Sequence, residues 1–566
     1  MFNLEHYSLN YADYFENRRY TESLMIAPGT FIPPTTYAPV EISYSIQPPI
    51  SVADFDTANT TSVPVESISN TGEPGPTITY SPFNITNFQR YSPIFSTFFT
   101  DITAANYNCI AFNHRFHVRN LNTVFDTAAN QNLERPVFVK FSPMLNPIRF
   151  VVDELGPAES VFPLPLPDCA PNFSAARTEY GADINAAYTD ALFCFLSSCM
   201  MRDYNMVHSI DYYGSFIGIQ EWFKHDVTDD LEHLAESPEF CANLGKRVFL
   251  EHQLDDDYFG TQSRCKRAKL CISGDAVCEA DINIMTDISL TTDKTKPDTV
   301  SLTEPNMNCI GEPIKLHSRN HLNSSKGAES NDGSEGSEGS EGSEGSEGSE
   351  GSEGSEGSEG SEGSECGDTH IYIHDFPVHL ICLEKCEGTM DELFAEHGKL
   401  SEAESIAAIF QVVIALAAYQ KIFHFTHNDL HTNNVMFVST KLTHLYYTFG
   451  ATHYCVPTFG RIFKIIDFGR SIYKFGGKVF CNDSYAKTGD ARGQYNCPPF
   501  FDKSRTRVDP NYSFDLCRLG CSLFDLVLEP DEQKGPLAAL SGFKRMIREW
   551  TMDDQNKNLV YTAKGD

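Results

Sequence analysis

Apolar residues fall along this chain in blocks of different period. IAFNHRFHV (110–118) and PVFVKFSP (136–143) read as strands, the second with apolar residues alternating around Lys140. Ile184, Ala187, Tyr188, Ala191, Leu192, Phe195, Leu196, Cys199 and Met200 lie three and four residues apart, the spacing of one helix face. VHSIDYYGSFIGI (207–219) returns to strand character, and VHLICLE (378–384) is a buried strand that runs into a polar turn. A second helix opens on the capping box Ser401-x-x-Glu404, in which hydroxyl and carboxylate satisfy each other's orphan backbone N–H groups. Its stripe through Ile406, Ile409, Phe410, Val413, Ala417 and Gln420 leads into HNDLHTNN (427–434). MFV (436–438) and FKII (463–466) are strand-like, and THLYYTFGATHYCVPTFGR between them reads as an added hairpin.

Two long stretches carry no sustained period. Residues 1–90 are rich in Pro, Thr and Ser; the prolines forbid long helices, so an extended or disordered arm is expected, with a partner protein as its ligand. Residues 226–370 turn polar and acidic and contain strict Gly-Ser-Glu triplets from Gly333 to Glu365. Without proline and with a glutamate in every triplet, this is a self-repelling linker rather than collagen. It is expected to be a mostly disordered acidic insertion, flanked by a small domain over 91–225 and a larger one over 371–566 that ends early.

The formal net charge is −34, and the triplet repeat supplies eleven of those negative charges. So acidic a balance argues against non-specific binding to nucleic acid or anionic membrane. Seventeen cysteines with no C-x-x-C pair read as reduced thiols, and no Cys/His cluster has zinc-ligand spacing. The N-terminus lacks a secretory pattern, and the longest apolar run, from Ile406, is interrupted by Gln411 and falls short of a membrane span. A soluble, intracellular protein is expected.

The chemistry concentrates at the second helix's end. Asp429 can orient a hydroxyl and accept its proton. Asn434, five residues later, and Asp467, in KIIDFG, offer the hard oxygen ligands that Mg²⁺ takes when it arrives on a nucleotide. Pairing of the MFV and FKII strands would bring all three to one point, a phosphoryl-transfer centre.

HNDLHTNN followed by IIDFG resembles the protein kinase superfamily, and VFVKFSP, the Tyr-Thr-Asp helix, the Gln-Tyr-Asn stretch and SFDLCRLGCS in this order look like the divergent serine/threonine protein kinases of large nucleocytoplasmic DNA viruses. The resemblance implies an α+β, bilobal kinase-like fold: a small β-rich lobe with one helix and a large, mostly helical lobe. It also implies ATP and Mg²⁺ as cofactors, a protein substrate, and a role in host cytoplasm or virion. By the same resemblance Lys140 would hold the α- and β-phosphates, although a VFVK strand alone is equally an edge-strand lysine in solvent. Asp190 is the helix acid best placed by order to pair with it, yet on a helical wheel it lies nearly opposite the apolar stripe, where a solvated acid is the default. Leu383 would be the gatekeeper, and Glu384 to Cys386 the hinge against adenine; an ordinary strand-to-helix turn is the plainer reading. Asn434 and Asp467 would hold Mg²⁺, and His427, grouped with Asp429 and Lys140 as catalytic, would buttress the loop. Gly469 completes the D-F-G, and Asp515, with Gly520 five residues on, would accept backbone N–H bonds from the catalytic loop.

The chain departs from the family pattern in several places. Residues 100–155 contain no glycine, so no glycine-rich loop precedes Lys140. Asn428 replaces the arginine that meets an activation-loop phosphate, and no such switch is expected. His431 stands where these kinases carry lysine, and no A-P-E follows the D-F-G. Two further readings therefore stay open: a small-molecule kinase of the aminoglycoside or choline type, and a pseudokinase or virion scaffold.

Overall fold

The structure, a computed structural model, describes residues 42–55, 63–65, 78–156, 163–167, 179, 181–228, 230–251, 369–395, 400–449, 452–553 and 555–561. The triplet repeat, most of the acidic insertion and the arm up to residue 41 lie outside the described residues. What is described is a mixed α/β fold.

Strand β1 (Tyr44–Ile46) begins the described chain and β2 (Ile85–Gln89) follows. Between Tyr91 and Tyr204 come β3 (Ile110–Phe112), β4 (Phe116–Asn120), β5 (Thr123–Asp126), β6 (Gln131–Glu134), β7 (Val137–Pro143) and helix α1 (Ala186–Tyr204). Then β8 (Tyr212–Asp226), β9 (Val248–Leu250) and β10 (His370–Glu384) complete the main sheet. That sheet has five strands: β9-β10-β8-β2, with β7 also paired to β10. β8 and β10 run antiparallel from Tyr212 opposite Leu383 to Asp226 opposite His370. β7 sets Lys140 opposite Ile381 and Phe138 opposite Leu383.

Two expectations about boundaries change here. The arm is mostly extended where described, with one short helical turn at Val52–Phe55, but it is built into the body: β1 pairs with β3, and β2 pairs with β8. The pairing of β2 needs Gly218, because a Cβ there would stand 2.4 Å from Ile85 Cγ2. The folded chain likewise continues past residue 226. Two short helices, Leu231–Ala235 and Pro238–Asn243, lead to β9, which pairs with β10. Buried Leu231, Leu234, Phe240, Val248 and Leu250 hold this stretch to the core, within a segment too polar overall for its short apolar runs to stand out.

The second half starts with helix α2 (Glu402–Phe423), whose capping box forms with both hydrogen bonds in place. By length and composition α2 could cross a membrane, contrary to the reading from Gln411, but 67% of its most apolar stretch is buried inside the molecule. Gln411 is itself fully buried, accepting from Phe463 N at 3.0 Å and donating to Arg461 O at 3.4 Å, so it interrupts nothing. β11 (Val435–Ser439) pairs antiparallel with β14 (Arg461–Ile465), and the expected hairpin between them is β12 (His444–Phe449) with β13 (Thr452–Pro457). A short hairpin of β15 (Tyr473–Phe475) and β16 (Lys478–Phe480) follows, then helices α3 (Ser513–Val527) and α4 (Gly542–Trp550).

One large apolar core joins most of these elements, and the β12–β13 hairpin packs in a smaller cluster with Phe410, Val438 and Ile462. Phe193 of α1 stacks on Phe425 at 4.5 Å and meets Phe468 at 4.6 Å and Tyr473 at 4.8 Å. α1 is thus the axis of the fold, buried from Ala187 to Met201 on nearly every side. The one-sided stripe read from sequence understates this, because the face opposite it is covered by β7 and by the chain that follows Asp467.

Candidate active site

Asp190 is where that enclosure matters. It is 1% exposed rather than solvated, and its Oδ2 accepts from Lys140 Nζ at 2.7 Å. Its Oδ1 accepts the Phe468 N–H at 3.0 Å, which ties α1 to the residue after Asp467. Lys140 reaches the carboxylate from β7, and the same ammonium lies 2.8 Å from Asp467 Oδ1. Burial works against the charge on Lys140, but Asp190 and then Asp467 outweigh it and raise its pKa. Burial also acts to raise Asp467, yet Lys140 holds that carboxyl down at about 2. Asp190, the more enclosed acid, is pushed up by burial, with Lys140 opposing. Three groups from three distant parts of the sequence therefore share one cluster centred on a cation.

The strand pairing predicted for the two motifs forms. β11 and β14 lie in register with Val435 opposite Ile465, and Ile466 N donates to Asn434 O at 3.0 Å. Asn434, just before β11, and Asp467, just after β14, are thereby set side by side. Asp467 has φ 62°, a conformation aspartate tolerates better than most residues, and its side chain is 44% exposed. Asn434 Nδ2 donates to Asp429 O at 2.9 Å and lies 3.1 Å from His431 Nε2. The amide nitrogen is thus used within the loop, and its oxygen accepts no hydrogen bond among the described residues.

The loop between α2 and β11 is pinned from beneath. Asp515, fully buried at the start of α3, accepts the backbone N–H of His427 and of Asn428, each at 2.8 Å. Burial lifts its carboxyl to about 6, against the pull of His427 and the two N–H donors. His427 Nε2 bonds Ile466 O at 2.9 Å, a buttress between the two motif strands. Asn428, at φ 67°, donates to Arg470 O at 2.9 Å and accepts from Tyr495 OH at 2.8 Å. These contacts hold Asp429 at the surface of the loop, where Oδ2 lies 3.4 Å from Arg470 Nη1 and Oδ1 lies 3.5 Å from Arg518 Nη2. Gly469 N donates to Asp467 Oδ1 at 3.3 Å, and Gly469 O accepts from Asn482 Nδ2 at 2.6 Å.

Leu383 and Glu384 end β10 beside this centre, both 4% exposed, and Cys386 follows half-buried. Glu384 does not offer its carboxylate to a ligand: Oε1 is 2.5 Å from Lys464 Nζ, and Glu384 N donates to Asp211 O at 2.9 Å. Lys464 is fully buried and also donates to Ser209 O at 2.6 Å and Val207 O at 3.1 Å. This pair was missed from sequence, although a lysine inside the apolar FKII run is the signal that could have found it. Arg470 and Arg518 were missed too, and they carry no local signal.

The donor set suits a hard cation that brings most of its own shell. Asp467 and Asn434 present oxygen on adjoining strand ends, while among the described residues no group of three or more His, Cys, Asp or Glu could hold a metal alone.

No protein-family model matches the chain. Over 96 residues, 17% of the chain, it is 32% identical to the serine/threonine-protein kinase haspin of Bos taurus. Over 88 residues, 15% of the chain, it is 36% identical to the serine/threonine-protein kinase haspin of Mus musculus. Each match spans 12% of the relative's length. The similarity supports a relationship to protein kinases over that stretch.

Proposed function

We propose that this protein is an ATP-dependent protein kinase that transfers the γ-phosphoryl group of Mg-ATP to serine or threonine hydroxyls, on a bilobal kinase-like fold with β7–β10 in its small lobe. The observation that carries the reading is Lys140, held between Asp190 and Asp467 beside a loop that Asp515 clamps through two backbone N–H groups. The partial similarity to serine/threonine kinases supports it.

In this reading Lys140, kept charged and oriented by Asp190, faces the nucleotide phosphates. Asp467 and Asn434 would hold Mg²⁺, which supplies charge neutralisation on the phosphate oxygens. Asp429 aligns the acceptor hydroxyl and takes its proton late, as a weakly basic carboxylate can when transfer is mainly a matter of positioning. His427 and Asp515 keep the loop in place. Leu383 and the backbone from Glu384 to Cys386 would border the adenine. A loop other than a glycine-rich one covers the phosphates.

Purified protein given Mg-ATP and a mixed protein substrate should incorporate phosphate on serine or threonine. Asp467→Ala and Asp429→Asn should each lower kcat by about 10³-fold or more. Labelling that survives Asp467→Ala would come from another enzyme and end the proposal. His431 beside Asn434 favours a second reading, a small-molecule kinase; turnover of an amino-sugar or choline-like alcohol with no protein labelling would select it.

A further inference from the structure

The segment that follows Asp467 reverses the charge of the rest of the chain. Against a formal net charge of −34, residues 469–508 contain eight Lys and Arg and only Asp483, Asp490 and Asp502 on the acidic side. Lys487, Arg492, Lys503 and Arg505 are exposed, and none has a carboxylate ion-pair partner among the described residues. Such cations contribute little to folding, since a solvated side chain gains almost nothing from the native state.

Their backbone is nonetheless fastened to the catalytic loop. Gln494 Nε2 donates to Asn428 O at 3.2 Å and Tyr495 OH to Asn428 Oδ1 at 2.8 Å, one residue before Asp429. Asn496 then gathers the rest: its Nδ2 donates to Asp502 O, Arg505 O and Thr506 O at 2.9–3.1 Å, and its Oδ1 accepts from Asp502 N at 2.8 Å. Ser504 N and Oγ donate to the Asp502 carboxylate at 2.9 Å and 2.6 Å, which fixes the turn that carries Lys503 and Arg505. Arg470 and Arg518 extend the positive charge up to Asp429 itself.

We propose that this face selects hydroxyls set in acidic sequence: a serine or threonine flanked by glutamate or aspartate, its acids meeting Lys487, Arg492, Lys503 and Arg505 while its hydroxyl reaches Asp429. The inference rests on the kinase reading above. It adds what that reading leaves open, the chemical class of the substrate. Electrostatic complementarity of this kind works through capture and register, so it belongs in KM and in salt dependence rather than in kcat.

The probes are the peptide GSEGSEGSE, a pattern the chain itself contains from Gly333 to Glu365, and its counterpart with lysine in place of glutamate. The wild type should use the acidic peptide at least about tenfold better in kcat/KM, and the preference should shrink as salt shortens the screening length. Reversing charge at all four exposed positions (Lys487→Glu, Arg492→Glu, Lys503→Glu and Arg505→Glu) should raise KM for the acidic peptide about tenfold or more, with KM for ATP unchanged. Should that variant fold poorly, the pair Lys487→Gln with Arg505→Gln carries the same test in smaller measure. Equal use of both peptides, or a reversed variant as good as the wild type, overturns the inference. If the wild type transfers no phosphate at all, the kinase reading fails. Fluorescence anisotropy of labelled GSEGSEGSE, without nucleotide, still decides this one by its loss in the reversed variant. A single-stranded oligonucleotide that displaces the peptide at equal concentration would assign the face to nucleic acid and overturn it.

Discussion

Asp515 does its work without touching any reacting group. Both its oxygens are spent on backbone N–H donors of the loop, so its removal strands two buried donors as well as freeing the loop. Asp515→Ala should cost about 3 kcal/mol, since each buried donor left unpaired costs ~1–3 kcal/mol. Urea denaturation measures that loss, and a value near zero would show the loop to be held by other contacts. Asp190 makes a different lesson at this scale. Its position in order along the chain pointed to Lys140, while its angle on the helix pointed to solvent. Order was the better guide, because a helix wheel assumes one covered face and α1 has covering on all sides. Asp429, Asn434 and Asp467 were legible because each sits in a short run of recognisable spacing, whereas the place of Asp515 came from the resemblance to kinases, since its partners lie 87 and 88 positions away. The buried Lys464–Glu384 pair spans 80 positions of sequence and was not legible.

Among the elements, α1 is positioned largely by the chain that follows Asp467. Asp483 accepts from Ala186 N at 2.8 Å and Asn185 Nδ2 at 3.2 Å, which caps the helix from outside, and Tyr473 OH donates to Thr189 O at 2.8 Å. Burial first, then Glu179 and Asp490, push the Asp483 carboxyl up to about 7 against the Ala186 N–H. Arg149 pairs with Glu179 and Arg470 with Asp490, so neither acid bears on Asp483 at full strength. Because the folded value lies above the ordinary 3.8, the folded state holds this proton more tightly. The stability it lends is therefore complete below the ordinary value and is lost as pH rises through about 7. Asp483→Asn should flatten that slope, so melting temperatures followed across the interval should fall less in the variant than in the wild type. Parallel slopes would mean the carboxyl does not titrate there. The contact of α3 with α4 gives a sharper mechanical test. A Cβ at Gly520 would lie 2.9 Å from Trp550 Cβ. Alanine in place of glycine favours a free helix by ~1 kcal/mol, but overpacking a filled contact costs ~1–3 kcal/mol. Gly520→Ala should therefore destabilise in urea, and Gly520→Val more so; a stabilised alanine variant would show that α4 yields.

At the scale of the molecule, β9 and β10 pair directly although a long acidic connection joins them. Closing a loop depends only on the logarithm of its length, so deleting Gly333–Glu365 should change stability by about 0.3 kcal/mol. Denaturation midpoints that match within error would bear this out, and a loss beyond about 1 kcal/mol would give the repeat a structural part. What the sequence by itself determined was local arrangement: the loop that carries Asp429 and Asn434, the D-F-G turn, the capping box of α2 and the hairpin between β11 and β14. Residues a few positions apart on a strand or turn have little choice of partner. What only the tertiary structure decided was which distant groups meet: Lys140 with Asp190, Lys464 with Glu384, Asp483 with the start of α1, and Arg518 with Asp429. Those meetings follow from which faces are covered once every apolar surface has found a neighbour. That is a property of the whole packing, and no single stretch of the chain contains it.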